Sequence, residues 1–159
     1  MKKIFWLIFP CIVFVFGQAF AAVTISSTGG WNQTVGAVNL SAGAGSDLNP
    51  TYTSANNATL IDIKVTGGDN NWRVDVSKTD GTWDSNFRLY VLRTGAGSGG
   101  GSISGGTSYI EVTAITTAFF NGSKTRSNVP VQYQLQGMSL NVSPNTYNTS
   151  VTYTVVPLP

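Results

Sequence analysis

No histidine occurs in this sequence, and its single cysteine, Cys11, lies in a leading apolar run. Ser-His and Cys-His nucleophiles, and the usual zinc and copper sites, therefore lack their essential side chains. Carboxylates remain for acid–base work: Asp47, Asp62, Asp69, Asp75, Asp80, Asp84 and Glu111. A glycosidase needs two of them facing each other across a substrate. These acids fall instead in turn-rich stretches or on the polar side of alternating segments, where solvated acids are the plain expectation. The chain is read as a non-enzyme.

Metal and phosphate chemistry fare little better. Asp75-Val-Ser77-Lys-Thr79-Asp80-Gly81 sets oxygen ligands at alternating positions, but without EF-hand spacing or a closing Glu. No cofactor is expected. Calcium between Asp69 and Asp84 is the minor alternative, Asp80-Gly81 being equally a turn. The glycine-rich run from Gly95 to Gly106 lacks the Gly-Lys-Ser/Thr ending that holds a phosphate.

Aromatic side chains are the remaining binding candidates: Trp31, Trp72, Trp83 and Tyr90. Trp31 and Trp83 border glycine turns, where they would either stack on sugar rings or plug the ends of the fold. Trp72 and Tyr153 alternate with valines, a pattern that suits core packing first.

The chain that must position these residues begins with an export signal. Lys2 and Lys3 precede an apolar run from Ile4 to Gly17, and Ala19-Phe20-Ala21 fits a small-x-small cleavage site, predicting a signal peptide over 1–21. The mature protein is then expected in the periplasm, at the cell surface or outside the cell. Residues 22–159 suit one domain, long enough to bury roughly two-thirds of its unfolded surface without disulfides. Removing Lys2 and Lys3 from nine basic residues leaves seven, against seven acidic ones. A neutral chain has no electrostatic pull on nucleic acid or anionic membrane, and no self-repulsion to oppose association. Self-association, other envelope proteins or a cell-wall glycan are the expected partners, with no membrane span in the mature chain.

No stretch carries a capped helical period. Period-2 alternation recurs at 22–27, 59–66, 71–77, 87–93, 109–118, 130–138 and 151–159, with Trp31 to Leu40 a further candidate. Roughly seven to nine short strands between Gly, Asn and Ser turns predict an all-β fold, an antiparallel β-sandwich of immunoglobulin-like or jelly-roll-like kind. Strands 59–66 and 71–77 read as a hairpin about Gly67 to Asn70, in a register placing Asp62 opposite Arg73 or Lys64 opposite Asp75. Thr94 to Ser108 reads as a flexible connection or exposed loop tip. Phe119 to Asn128 reads as a polar turn at Asn121-Gly122-Ser123.

The closing strand carries a resemblance. Tyr147-x3-Val151-x-Tyr153-x-Val155-x3-Pro159 resembles the closing motif of bacterial WxL domains, Tyr-x3-Leu-x-Trp-x-Leu-x3-Pro, with Val, Tyr and Val substituted. Asn70-Asn71-Trp72-Arg73-Val74 resembles their first Trp-x-Leu motif, with Val for Leu. The ending is also similar to spore-coat-U and pilin-like secreted β-domains. The resemblance implies a non-enzymatic surface protein, attached to peptidoglycan in the WxL case. The expected function is a structural, self-assembling subunit of a fibre, coat or biofilm matrix, using edge-strand addition through Tyr147, Val151, Tyr153 and Val155. The alternative is a carbohydrate- or peptidoglycan-binding module using Trp31, Trp72, Trp83 and Tyr90.

Overall fold

The computed structural model describes residues 22–67 and 71–159; the expected signal peptide over 1–21 and residues 68–70, with Asp69, lie outside them. Eleven strands occupy most of the described chain. One antiparallel sheet runs in the order β1 (Ala22–Gly29), β3 (Thr59–Thr66), β10 (Arg126–Gln136), β5 (Arg88–Arg93), β8 (Ile110–Glu111). Two short strands, β2 (Thr51–Thr53) and β6 (Ser98–Gly99), also pair with β10. The second sheet runs β11 (Thr149–Leu158), β4 (Asn71–Asp80), β9 (Thr117–Ser123), β7 (Ile103–Gly105). The two sheets pack face to face as a β-sandwich, as the alternation predicts.

Period-2 side chains supply the core from both layers. Ile61, Ile63, Val91, Val129 and Val131 come from the first sheet and Trp72, Val74 and Val76 from the second, all at most 1% exposed. Each such side chain withdrawn from water contributes about 1.5–3 kcal/mol. Trp72 is the largest of them. Its indole Nε1 donates to the Lys124 carbonyl at 2.8 Å, and its ring meets Phe120 edge-on at 6.0 Å, so its polar atom stays paired inside the core.

Strands β3 and β4 do not form the expected hairpin. β3 pairs with β1 and β10, β4 with β11 and β9, so the two strands belong to different sheets. Alternation dictates which face is buried, not which strand lies alongside. Ile61 and Ile63 consequently meet Trp72 and Val74 across the core instead of beside them. The expected charge pairs dissolve with the hairpin: Asp62 accepts from the Asn128 amide at 2.7 Å, and Arg73 forks onto Asp75 of its own strand.

Trp31 to Leu40 is not a strand but a loop with a 3₁₀ turn at Ala37–Asn39. Its apolar residues fall at uneven intervals, so no single face can be buried, and Val38 is 94% exposed. Of the 109–118 segment only Ile110–Glu111 and the residues from Thr117 are strand, and Asn121 to Ser123 lie within β9 instead of forming a turn. The reversal comes at Lys124, whose φ is +59°.

The glycine-rich segment is ordered. β6 pairs with β10, β7 with β9, and Ser123 donates its backbone N–H to Ser102. Gly97, Gly99 and Gly101 alternate along the backbone of Ser123 to Ser127, where a Cβ on any of them would run into a carbonyl oxygen. Two arginines hold the segment from beneath. Arg93 donates from Nε and Nη2 to the Gly105 carbonyl and from Nη1 to that of Gly95, while Arg126 donates to the Gly101 carbonyl. Glycine here permits close backbone approach; it does not signal mobility.

Candidate functional site

Two features on one side of the sandwich stand out: a pair of long edge strands, and a groove at one end of that pair. β1 and β11 terminate their respective sheets and lie alongside one another across the sandwich. β11 is held along its whole length by β4, from Thr149 opposite Asp80 to Leu158 opposite Asn71. Val151, Tyr153 and Val155 turn inward and pack on the core, as their spacing predicts. β1 is held by β3 in an unbroken eight-residue register.

Of the devices that keep sheet edges apart, the free sides of these two strands carry a single proline and no charge. Neither AVTISSTG of β1 nor TSVTYTVVPL of β11 contains a charged residue, and Pro157 is the one residue of either without an amide donor. Lysines, short lengths and bulges are how natural sheets blunt an edge. The far side of the sandwich does use shortness: β8 has two residues and β7 has three. The molecule therefore has one blunted side and one open side.

At the Thr149 end of the open side, the 31–50 loop and the 138–148 loop enclose a groove of about 1260 Å³. Its floor is apolar and aromatic, with Phe87, Leu89, Leu135, Tyr133 and Tyr153. The Tyr133 and Tyr153 hydroxyls share a hydrogen bond of 2.9 Å, and Tyr133 shares another of 2.9 Å with Thr59 Oγ1. Burial pushes the Tyr153 hydroxyl well above the ordinary tyrosine pKa, and the neighbouring Tyr133 adds to the shift.

The loops over the groove are lashed together by Asp47. Its carboxylate accepts from the backbone amides of Leu140 and Leu48, both at 2.7 Å, and from Ser139 Oγ at 2.9 Å. Those hydrogen bonds hold the Asp47 carboxyl below the usual carboxylate pKa, the Leu140 amide first. Sequence reasoning placed Asp47 among solvated turn acids, and nothing local to Ser41–Pro50 announces a partner more than ninety residues away.

The aromatic candidates divide. Trp31, Trp83 and Tyr147 line the groove with Val151 and Tyr153. Phe87 joins Trp83 and Tyr147 by edge-on contacts of 5.4 and 4.9 Å, and the Tyr147 hydroxyl donates to the Ser143 carbonyl at 2.6 Å. Tyr147 thus stands before β11, not in it. Lys78 Nζ sits 4.7 Å over the Trp83 ring. Trp72 corrects the expectation of a binding residue: it is 0% exposed and offers no surface. Tyr90 lies on the outer face of β5, between the buried Leu89 and Val91, and does not reach the groove. Val155 lies further along β11, opposite Val74.

Among the described residues, the remaining acids do not converge. Of the stretch weighed for calcium, Asp69 lies outside the described residues and most of the rest is strand β4, where Asp75 binds Arg73 and Asp80 binds Lys78. Residues five apart on a strand point to opposite faces. Asp75, expected outward and solvated, is 6% exposed beneath the Arg73 fork. Glu111 pairs with Arg88 at 3.4 Å. Among the described residues, no group of three or more His, Cys, Asp or Glu side chains comes together, and no helix is long and apolar enough to cross a membrane. Comparisons of the chain with protein-family models, with curated proteins and with solved structures find no match.

Proposed function

We propose that this protein is a non-enzymatic, exported structural subunit of a bacterial surface, assembling with copies of itself through its β1/β11 side. The observation that carries the reading is the pair of long, uncharged edge strands on one side, against two- and three-residue edges on the other. An exposed edge of this kind is a template for strand addition, in which unpaired N–H and C=O groups find partners on a second chain. The neutral net charge left after signal removal supports close approach of copies. The likeness of the closing strand to secreted surface β-domains points the same way.

The test uses residues 22–159 purified without the leader. Removing β11 would be uninformative, since its inward side chains belong to the core and their loss would unfold the protein. Lysine at an exposed edge position is the sharper probe: Ser26→Lys in β1 and Thr154→Lys in β11. Light scattering and negative-stain microscopy should show large assemblies of the parent protein and monomers of one or both variants, with unchanged circular dichroism. A parent protein that stays monomeric at high concentration across a range of salt would overturn the proposal. Assemblies indifferent to both lysines would show that another surface joins the copies.

A further inference from the structure

We propose that the groove beneath the 31–50 and 138–148 loops binds a neutral, hydroxyl-rich glycan chain, with Trp31 as stacking platform and Asn32 and Gln33 as hydrogen-bonding lip. The site meets the strand edges only at one end and goes beyond the assembly reading.

Charge is the first argument. Among the described residues, not one lysine, arginine, aspartate or glutamate lines the groove, although charged residues stand close by in the sequence. Each is turned aside: Lys78 to Asp80 and the Trp83 ring, Asp84 to the Asn86 amides, Arg88 to the Ser85 carbonyl and Glu111, Asp47 to the loop amides. An anionic or cationic ligand would find no counter-charge, and burying it unpaired would be costly. The occupant is uncharged.

The lining chemistry narrows it further. Trp31, Trp83 and Tyr147 stand above an apolar floor, and the amides of Asn32, Gln33, Asn145 and Asn148 gather with serine and threonine hydroxyls around them. Amides and hydroxyls both donate and accept, which matches sugar hydroxyls that do the same. Aromatic faces suit the apolar faces of pyranose rings. At about 1260 Å³ the space exceeds the roughly 300–1,000 Å³ of ordinary small-ligand sites, so it fits several linked rings better than one. A second copy's strand fits less well. Strand capture runs along an edge, and this groove meets β11 only from Thr149 to Tyr153 and β1 only at Ser27 and Gly29.

Tryptophan fluorescence of residues 22–159 tests the site, titrated with hexasaccharides of β-linked glucose, α-linked glucose and β-linked N-acetylglucosamine, with polygalacturonate as the anionic control. A saturable change is expected with at least one neutral hexasaccharide and none with polygalacturonate. Trp31→Ala should weaken that binding about tenfold or more. Because Trp31 also touches the core, Asn32→Ala and Gln33→Ala, both exposed, provide variants that keep the fold; each should weaken binding measurably by calorimetry. Tyr90→Ala and Thr154→Lys should bind as the parent does. No saturable response at millimolar sugar overturns the proposal, as does binding untouched by all three groove variants. Assembly lost on Trp31→Ala with no sugar response would assign the groove to a second copy and overturn it too. Because Thr154→Lys acts on the edge alone, failure of the groove and failure of the assembly reading remain distinguishable.

Discussion

The hydroxyls of Tyr133 and Tyr153 meet 2.9 Å apart, one from each sheet, and tie the two layers of the sandwich at the floor of the groove. Tyr133 also shares its hydroxyl with Thr59 Oγ1 on β3, so three strands converge on one polar chain inside an apolar setting. A buried chain of this kind is worth more than its members only while each is satisfied. Tyr153→Phe leaves Tyr133 with Thr59 and should cost about 1 kcal/mol in denaturant unfolding. Tyr133→Phe strips both neighbours and should cost about 1–3 kcal/mol.

The same pair predicts a response to alkali. Burial raises the Tyr153 pKa in the folded protein above its ordinary value of 10.0, so the neutral hydroxyl is the form that folding favours. A raised folded value gives stability that is complete below the unfolded pKa and is lost as pH climbs beyond it. Unfolding free energy should hold between pH 7 and about 9.5 and fall above about 10. Tyr153→Phe should flatten much of that fall; an equal fall in the variant would assign it to other tyrosines.

Glycine placement separates neighbours that look alike in sequence. Gly99 has φ +129° and its Cβ position lies against the Thr125 carbonyl, whereas at Gly100 the nearest atom is Cδ of the Lys124 side chain at 3.4 Å. Gly99→Ala must strain its backbone and push β6 from β10, at a cost of about 1–3 kcal/mol. Gly100→Ala should change the denaturation midpoint little. Equal effects at the two sites would mean that the segment is held less closely than its contacts indicate.

Arg93 carries the complementary half of that packing. It is 7% exposed, packs 5.9 Å over the Phe120 ring, and spends three N–H donors on two loop carbonyls. Burial first, and the nearby Arg126 second, lower its pKa from the ordinary arginine value. Arg93→Met keeps the apolar stem but orphans the Gly105 and Gly95 carbonyls, and should cost about 1.5–3 kcal/mol. Hydrogen exchange across 95–106 should quicken while β3 and β4 stay protected. Uniform loss of protection would instead make Arg93 a global core residue.

Much of the fold is legible in the sequence because its signal is local. Val23 and Ile25, Ile61 and Ile63, Val74 and Val76, and Val151, Tyr153 and Val155 each declare a strand and its buried face. Pairing is not local, and there the reading fails: β3 and β4 have matching faces and a turn-like link, yet belong to different sheets. Composition misleads at 94–108, where glycine reads as freedom until Ser123 to Ser127 are seen against it. Trp31 and Trp83 are legible as turn-bordering aromatics. That Tyr147 joins them, and that Trp72 and Tyr90 do not, depends on the fold closing around Phe87. Asp47 could be found only by knowing which loop faces it.

That loop contact gives the last prediction, which runs opposite in pH to the tyrosine effect. Asp47 accepts three hydrogen bonds, two of them from residues of the 138–148 loop, and they hold its folded pKa below the ordinary carboxylate value. A depressed folded value gives stabilisation that is present above the unfolded pKa and lost as pH falls through the folded one. The lash should therefore hold from neutral pH down to about 4 and open below it. Because Asp47 is exposed, the global unfolding free energy is the wrong observable. The right one is the protection of the Leu140 and Leu48 amides against hydrogen exchange, taken relative to the intrinsic rate at each pH, which should fall in acid before β3, β4 and β10 lose theirs. Asp47→Ala should lower that protection already at neutral pH and remove its further fall in acid. Exchange at Leu140 that matches the parent in this variant would show that the two loops hold their places without the carboxylate.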